Sequence, residues 1–207
     1  MRKVFVIGFE NTGTDTLAVC LRRLGYRHAD LNPALARRVL DDGDIAALEA
    51  ATQDFDSFAG MPWPLFYRRL DRLYPHARFI LTVRDSSQAW FGSLRRHAVY
   101  SGRGAVREQV YGFSKPVVQQ ASQIDLIDRH ARQVQEYFAG RPERLLVLCW
   151  EQERSWDRLC NFLEEPVPNT PLPHEHQRRV ARVSGYFRRV RNTLRGYAQR
   201  LFTADPG

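Results

Sequence analysis

The stretch Val4-Phe5-Val6-Ile7-Gly8-Phe9-Glu10-Asn11-Thr12-Gly13-Thr14-Asp15-Thr16-Leu17 decides the fold. Its first four residues are apolar, three of them β-branched, the run expected of a strand buried on both faces. Gly8 ends the run, and a short turn carries Thr12, Gly13 and Thr14. Leu17, Leu21 and Leu24 then recur on one helical face, and Gly25 is a fitting helix stop. Strand, tight loop and helix start, in this order, build an oxyanion cradle. The first N–H groups of a helix have no intrahelical partner, and the helix dipole adds positive potential there. The loop therefore points to a phosphate or sulfate ester. Gly8 and Gly13 have the spacing of a P-loop, but no Lys-Ser/Thr follows Gly13, which excludes a nucleoside-triphosphate P-loop. No G-x-G-x-x-G for a dinucleotide is present either.

Outward from this stretch, two more strands read clearly, Arg78–Val83 and Leu145–Cys149. Helical patterns cover 14–24, a stretch opening at Asn32-Pro33, 45–51, 65–74, a segment capped by Ser86 or Ser87 and running toward Tyr100, 124–138 and 156–163. Residues 54–64 are irregular and rich in Phe, Trp and Pro, and 101–122 read as a substrate-side loop. Strands alternating with helices predict an α/β fold, a central parallel sheet flanked by helices.

The chain has 207 residues and is 43% apolar, enough for one core. It has no apolar window long enough to span a membrane, and its N-terminus enters a strand at once, so no signal peptide is expected. Cys20, Cys149 and Cys160 lack metal-ligand spacing and read as reduced, buried thiols. Together these features predict a cytoplasmic protein. The net charge of +8 is concentrated between Gln177 and Leu201, which hold eight arginines and no acid. The remainder is neutral, so the chain is not a globally basic nucleic-acid binder. Val180, Val183, Phe187, Val190, Leu194, Tyr197 and Leu201 make this segment a basic amphipathic helix. Two readings stand: its apolar stripe docks on the domain or between two copies of the chain, or it lies on an anionic membrane surface. The expected division is an α/β domain over 1–174 and a basic helix and tail over 175–207.

The second strand ends in Val83-Arg84-Asp85, with Ser86, Ser87, Trp90 and Ser93 following. An arginine at the C-terminal end of a central parallel strand sits where such sheets bind ligands, and its guanidinium grips a phosphate through two N–H groups. These residues, with Gly8 to Thr14, Met61-Pro62-Trp63-Pro64-Leu65, Leu73-Tyr74-Pro75, the 78–85 strand and Trp90, resemble the sulfotransferase superfamily that uses 3′-phosphoadenosine-5′-phosphosulfate (PAPS). The resemblance continues through Glu136-Tyr137-Phe138 and 145–148 to the prolines before residue 174, and is strongest to short bacterial cytosolic members.

The resemblance implies a P-loop-like sulfotransferase fold and transfer of a sulfuryl group from PAPS to a hydroxyl or amine of a small molecule. Gly8, Asn11, Thr12, Gly13, Thr14 and Thr16 would hold the 5′-phosphosulfate, and Arg84 with Ser93 the 3′-phosphate. The acceptor would enter over residues 54–63 and the 101–122 loop. No metal is implied. Two positions depart from the pattern. Asn11 stands where similar proteins carry Lys or Arg, and Asp15 where they carry Thr or Ser. At about 4 Å and an effective dielectric near 20, a like-charge pair at Asp15 would cost roughly 4 kcal/mol. Arg22, Arg23 and Lys115 are other cations available to replace the missing one. Candidates for the base that takes the acceptor's proton are Asp56, His97 and Glu10. Two alternatives remain open from the residues: a different reaction through Asp15, Glu10 or Asp56 as acid or base, without PAPS, and a non-catalytic protein that binds through its arginine helix.

Overall fold

β1 (Val4–Val6) lies at the centre of a five-stranded parallel sheet in the order β2-β3-β1-β4-β5. The computed structural model describes residues 2–98, 108 and 120–173, the side chains of 97 and 98 excepted. The other strands are β2 (His28–Ala29), β3 (Ser57–Phe58), β4 (Arg78–Val83) and β5 (Leu145–Cys149). The helices are α1 (Thr14–Arg23), α2 (Pro33–Leu40), α3 (Ile45–Ala50), α4 (Tyr67–Leu73), α5 (Ser87–Ala98), α6 (Gln120–Tyr137) and α7 (Asp157–Leu163). The α/β class and parallel sheet expected from the sequence are present. β2 and β3 are additional to the three strands read there. The arginine-rich segment and most of 101–122 lie outside the described residues.

The sheet divides two cores because side chains alternate along each strand. Val4 and Val6 join Leu17, Cys20 and Leu21 of α1 and Leu159, Cys160 and Leu163 of α7. Phe5 and Ile7 turn to the other side, among Leu35, Leu48, Leu70 and Val134 of α2, α3, α4 and α6 and Phe138 just after α6. Phe5 stacks on Phe58 of β3 at 4.9 Å and on Phe79 of β4 at 5.5 Å. All of β1 is fully buried, which accounts for its unbroken apolar run.

The strand order carries the functional consequence. After β1 the chain passes through α1 to the β2–β3 side, and after β4 it passes through α5 and α6 to β5 on the other side. The connections diverge between β1 and β4, so a crevice opens at the C-terminal ends of these two strands. The 8–13 loop follows β1 and Arg84 follows β4, so both stand at that point.

Candidate active site

β1 and β4 pair with Phe5 opposite Phe79 and Val6 opposite Ile80. Gly8 then passes Thr82 so closely that a Cβ on it would collide with the threonine hydroxyl and backbone. At Asn11 and Gly13 the loop turns through left-handed conformations, with φ of 63° and 96°. Asparagine tolerates that region better than other non-glycine residues, and a lysine there would be strained by about 1–2 kcal/mol. The backbone thus supplies a reason for Asn11 that its chemistry alone does not. A Cβ on Gly13 would in addition strike the indole of Trp150.

The loop's carbonyl oxygens are taken by groups around it. Ile7 accepts from His130 Nε2 at 2.8 Å, and Phe9 from the Thr12 hydroxyl at 2.6 Å. Glu10 accepts from Trp90 Nε1 at 2.8 Å, and Asn11 from an Arg84 N–H at 3.4 Å. In a trans peptide the following N–H points away from its carbonyl. With these oxygens held, each next N–H is turned away from the donor that holds its carbonyl, the kind of backbone donor from which anion cradles are built. α1 adds to these donors, since its N-cap is Gly13, with no side-chain cap over the first turn. Two buried side-chain donors beside the loop, Asn11 Nδ2 and Trp150 Nε1, have no partner. An unpaired buried donor costs about 1–3 kcal/mol, which an acceptor on a ligand would relieve.

Arg84 is fixed from its rear. Its Nε donates to Glu151, which follows β5, and both side chains are partly buried. The Cys149 thiol lies 3.2 Å from Asp85 Oδ1 and 3.4 Å from Glu151 Oε2, and Gln152 Nε2 donates to Asp85 at 3.1 Å. Burial, reinforced by hydrogen bonds to these two carboxylates, pushes the Cys149 thiol up to about 12. Asp85, Cys149 and Glu151 bring their ligand atoms within 4.8 Å of one another. A protonated thiol and a carboxylate already serving Arg84 make this a polar brace rather than a set of open ligands.

The candidate residues separate into those at the loop and those away from it. Thr12 is 1% exposed. Its hydroxyl donates to Phe9 and so accepts from Thr82 Oγ1 at 2.6 Å, which ties the loop to β4. Thr14 stands half-buried at the first turn of α1, Thr16 is buried behind it, and Asp15 is exposed. Exposure brings the repulsion of Asp15 for a ligand anion from roughly 4 toward about 1 kcal/mol at the same separation. Glu10 is half-buried at the loop tip. Ser93 is buried in α5, the helix whose Trp90 braces the loop.

Asp56 does not join them. It precedes β3, and its carbonyl accepts from Val4 N–H at 2.8 Å, so it stands at the N-terminal edge of the sheet. At ~3.3 Å per residue, the rise from Val4 to Gly8 separates it from the loop by about 13 Å. Its carboxylate is held by Arg27 through Nε at 2.9 Å and the backbone N–H at 3.2 Å. These bonds hold it below the usual carboxylate range. Arg22 and Arg23 end α1, away from the loop, where Arg22 pairs with Asp30 at 2.5 Å and Arg23 donates to Pro171. The backbone of residue 97 is in α5, while the His97 side chain and Lys115 lie outside the described residues.

Sequence reading missed Trp150, Glu151 and His130. The first two directly follow a parallel strand, so the strand-end rule applied to Arg84 would have singled them out had it been applied to β5. Nothing local marks His130, whose role comes from the docking of α6 on Ile7 and Phe9.

Comparison with known proteins agrees with this geometry. Residues 3–181 match the family described as the sulfotransferase domain. "Ava biosynthesis cluster protein M" of Aspergillus versicolor is 27% identical, over 95% of this chain and 90% of its own length. Among solved structures, shikimate kinase from Bacteroides thetaiotaomicron superposes with a TM-score of 0.52 at 14% identity, covering 79% of this chain and 98% of the kinase. That likeness shows a shared P-loop-like fold. The family match extends over most of the chain, with both the loop and Arg84 inside it, and the chain belongs to the sulfotransferase domain family, a family of transferases.

Proposed function

We propose that the protein transfers a sulfuryl group from PAPS to a hydroxyl or amine of a small molecule. The observation that carries this is the loop whose carbonyls at Ile7, Phe9, Glu10 and Asn11 are all hydrogen-bonded within the protein, beside two buried donors without partners. The residues fit an oxyanion-bearing donor. Gly8 and Gly13 let Thr82 and Trp150 close on the loop, and Asn11 Nδ2 and Trp150 Nε1 offer N–H groups. PAPS, when bound, supplies an activated sulfuryl group for in-line displacement.

Within this reading, loop N–H groups and the Asn11 amide hold the 5′ end, with Thr14 and Thr16 at the start of α1. Arg84, oriented by Glu151, takes the 3′-phosphate, with Ser93 as the hydroxyl assigned beside it. Positioning and electrostatics supply the catalysis. Glu10 is the carboxylate of the loop itself and the base favoured by position. The three free, buried cysteines support a cytoplasmic setting. Among the described residues no helix is long and apolar enough to cross a membrane.

A second reading, a different reaction on the same scaffold, is favoured by one observation: residues 8–16 hold two carboxylates, Glu10 and Asp15, and no cation. Calorimetric titration with adenosine-3′,5′-bisphosphate separates the two. Saturable binding that tightens in Asp15→Thr is expected from the PAPS reading. Absence of heat at millimolar ligand would remove PAPS and leave the second reading.

A further inference from the structure

Gln123 of α6 is 2% exposed, yet neither its Nε2 nor its Oε1 has a hydrogen-bond partner. A carboxamide buried with both ends unpaired is costly, and such a group in a folded protein calls for an explanation. Its place on α6 supplies one. Val134 packs with Phe5 and Phe79, near the middle of the sheet. Four residues earlier, His130 donates to the Ile7 carbonyl and stacks on Phe9 at 4.2 Å between ring centres. Three residues before that, Ile127 packs against the Phe9–Met61 cluster and the Trp90 cluster. α6 therefore runs antiparallel to β1, and each step toward its start rises past the end of that strand. Gln123, next on the same stripe, lies about 10 Å along the axis from His130, beyond the loop on the C-terminal side of the sheet. That is the side from which an acceptor must meet a group held in the loop.

The surroundings narrow the chemistry. Phe9, Met61, Leu31 and Ile127 make the neighbouring stripe apolar. The charges of α6 lie elsewhere: Asp125 pairs with Arg129, and Asp128 accepts from Ser87 at 3.2 Å. No charged group of α6 shares the stripe of Gln123, Ile127, His130 and Val134. A neutral amide beside an apolar stripe suits a neutral group that both donates and accepts, and disfavours an anion.

We propose that Gln123 is a specificity-determining contact for the acceptor, its Nε2 donating to and its Oε1 accepting from a neutral hydroxyl or amide on an otherwise apolar molecule. This rests on the proposed function in one respect, that an acceptor sits above the loop. The test uses the full-length, ¹⁵N-labelled protein, with the Gln123 side-chain amide signal assigned by its loss in Gln123→Met. The probes are 2-naphthol, its anionic counterpart 2-naphthoate, and adenosine-3′,5′-bisphosphate. A saturable shift of the Gln123 amide with 2-naphthol is expected, with at least tenfold weaker binding of 2-naphthoate. Gln123→Met should weaken 2-naphthol at least tenfold, change the bisphosphate Kd less than twofold, and leave Tm equal or higher. An unmoved amide up to the solubility limit of 2-naphthol, or an equal Kd in Gln123→Met, overturns the inference. Bisphosphate binding without an amide response sinks this inference alone. An amide response without bisphosphate binding sinks the PAPS reading and upholds the contact.

Discussion

Gly13 bears two demands at once, a φ of 96° and the Trp150 indole against its α-carbon. Gly13→Ala should therefore cost at least ~2 kcal/mol of stability and abolish adenosine-3′,5′-bisphosphate binding, as urea denaturation and calorimetry would show. Removing the indole as well, in Gly13→Ala/Trp150→Ala, should return part of the stability, because the two residues are in contact and their effects do not add. Glu151 is the second residue-scale lever. It neutralises Arg84 from behind, so Glu151→Gln should tighten bisphosphate binding several-fold at low salt and less at high salt. An unchanged Kd across salt would mean that Arg84 does not touch the ligand. Residue identities at the loop were legible because Gly8, Gly13 and Arg84 have chemistry that their local sequence positions explain. The use of the Thr12 hydroxyl was not, since its partner Thr82 is 70 positions away.

At the scale of elements, α5 and α6 act as braces for a loop that belongs to neither. Trp90 reaches the Glu10 carbonyl from α5, and His130 reaches the Ile7 carbonyl from α6. Trp90→Phe keeps an aromatic ring in place and removes the indole's bond to the carbonyl. Its expected effects are about 1 kcal/mol lower stability and several-fold weaker bisphosphate binding, measured on the same variant. A loss of stability with unchanged affinity would show that the loop holds its shape without that bond. β1, β4, β5 and most of the helices could be read from apolar periodicity. β2 and β3 could not, because two residues each cannot display an alternation. That gap also explains Asp56: with β3 unseen, its segment read as irregular and near the acceptor, whereas the start of β3 fixes it at the other edge.

For the whole molecule, acid sensitivity has a named source in His28. The ring is fully buried, and its Nδ1 is 2.8 Å from Ser57 Oγ, joining β2 to β3. Its Nε2 is buried without a partner, 3.8 Å from Asp30. Burial pulls its pKa down to about 4. The folded protein keeps His28 neutral while the unfolded chain protonates it near 6.5, so its contribution is intact above that pH and falls as pH drops toward 4. The loss would reach about 3 kcal/mol. Asp56, Asp71 and Glu164 are held below the usual carboxylate range, chiefly by arginine hydrogen bonds that outweigh burial at Asp71. Their contributions vanish at still lower pH, as those carboxylates protonate. Urea denaturation from pH 7 to 4 should show a decline that is flatter in His28→Gln over pH 4–6.5.

The two ends of the sheet keep different accounts of their polar atoms. Around the N-terminal end, Asp71 binds Arg141 and Arg144, Arg78 binds Glu164, Asp56 binds Arg27, and Lys3 donates to the Thr52 and Phe55 carbonyls. Around the C-terminal end, the Asn11, Trp150 and Gln123 side chains each hold uncommitted atoms. Among the described residues, one end is a latch with His28 Nε2 its one uncommitted atom, and the other is an open socket. Substitutions in the socket can therefore alter what the enzyme accepts while the latch stays intact, and a lineage could explore new acceptors on this scaffold without first having to restabilise it.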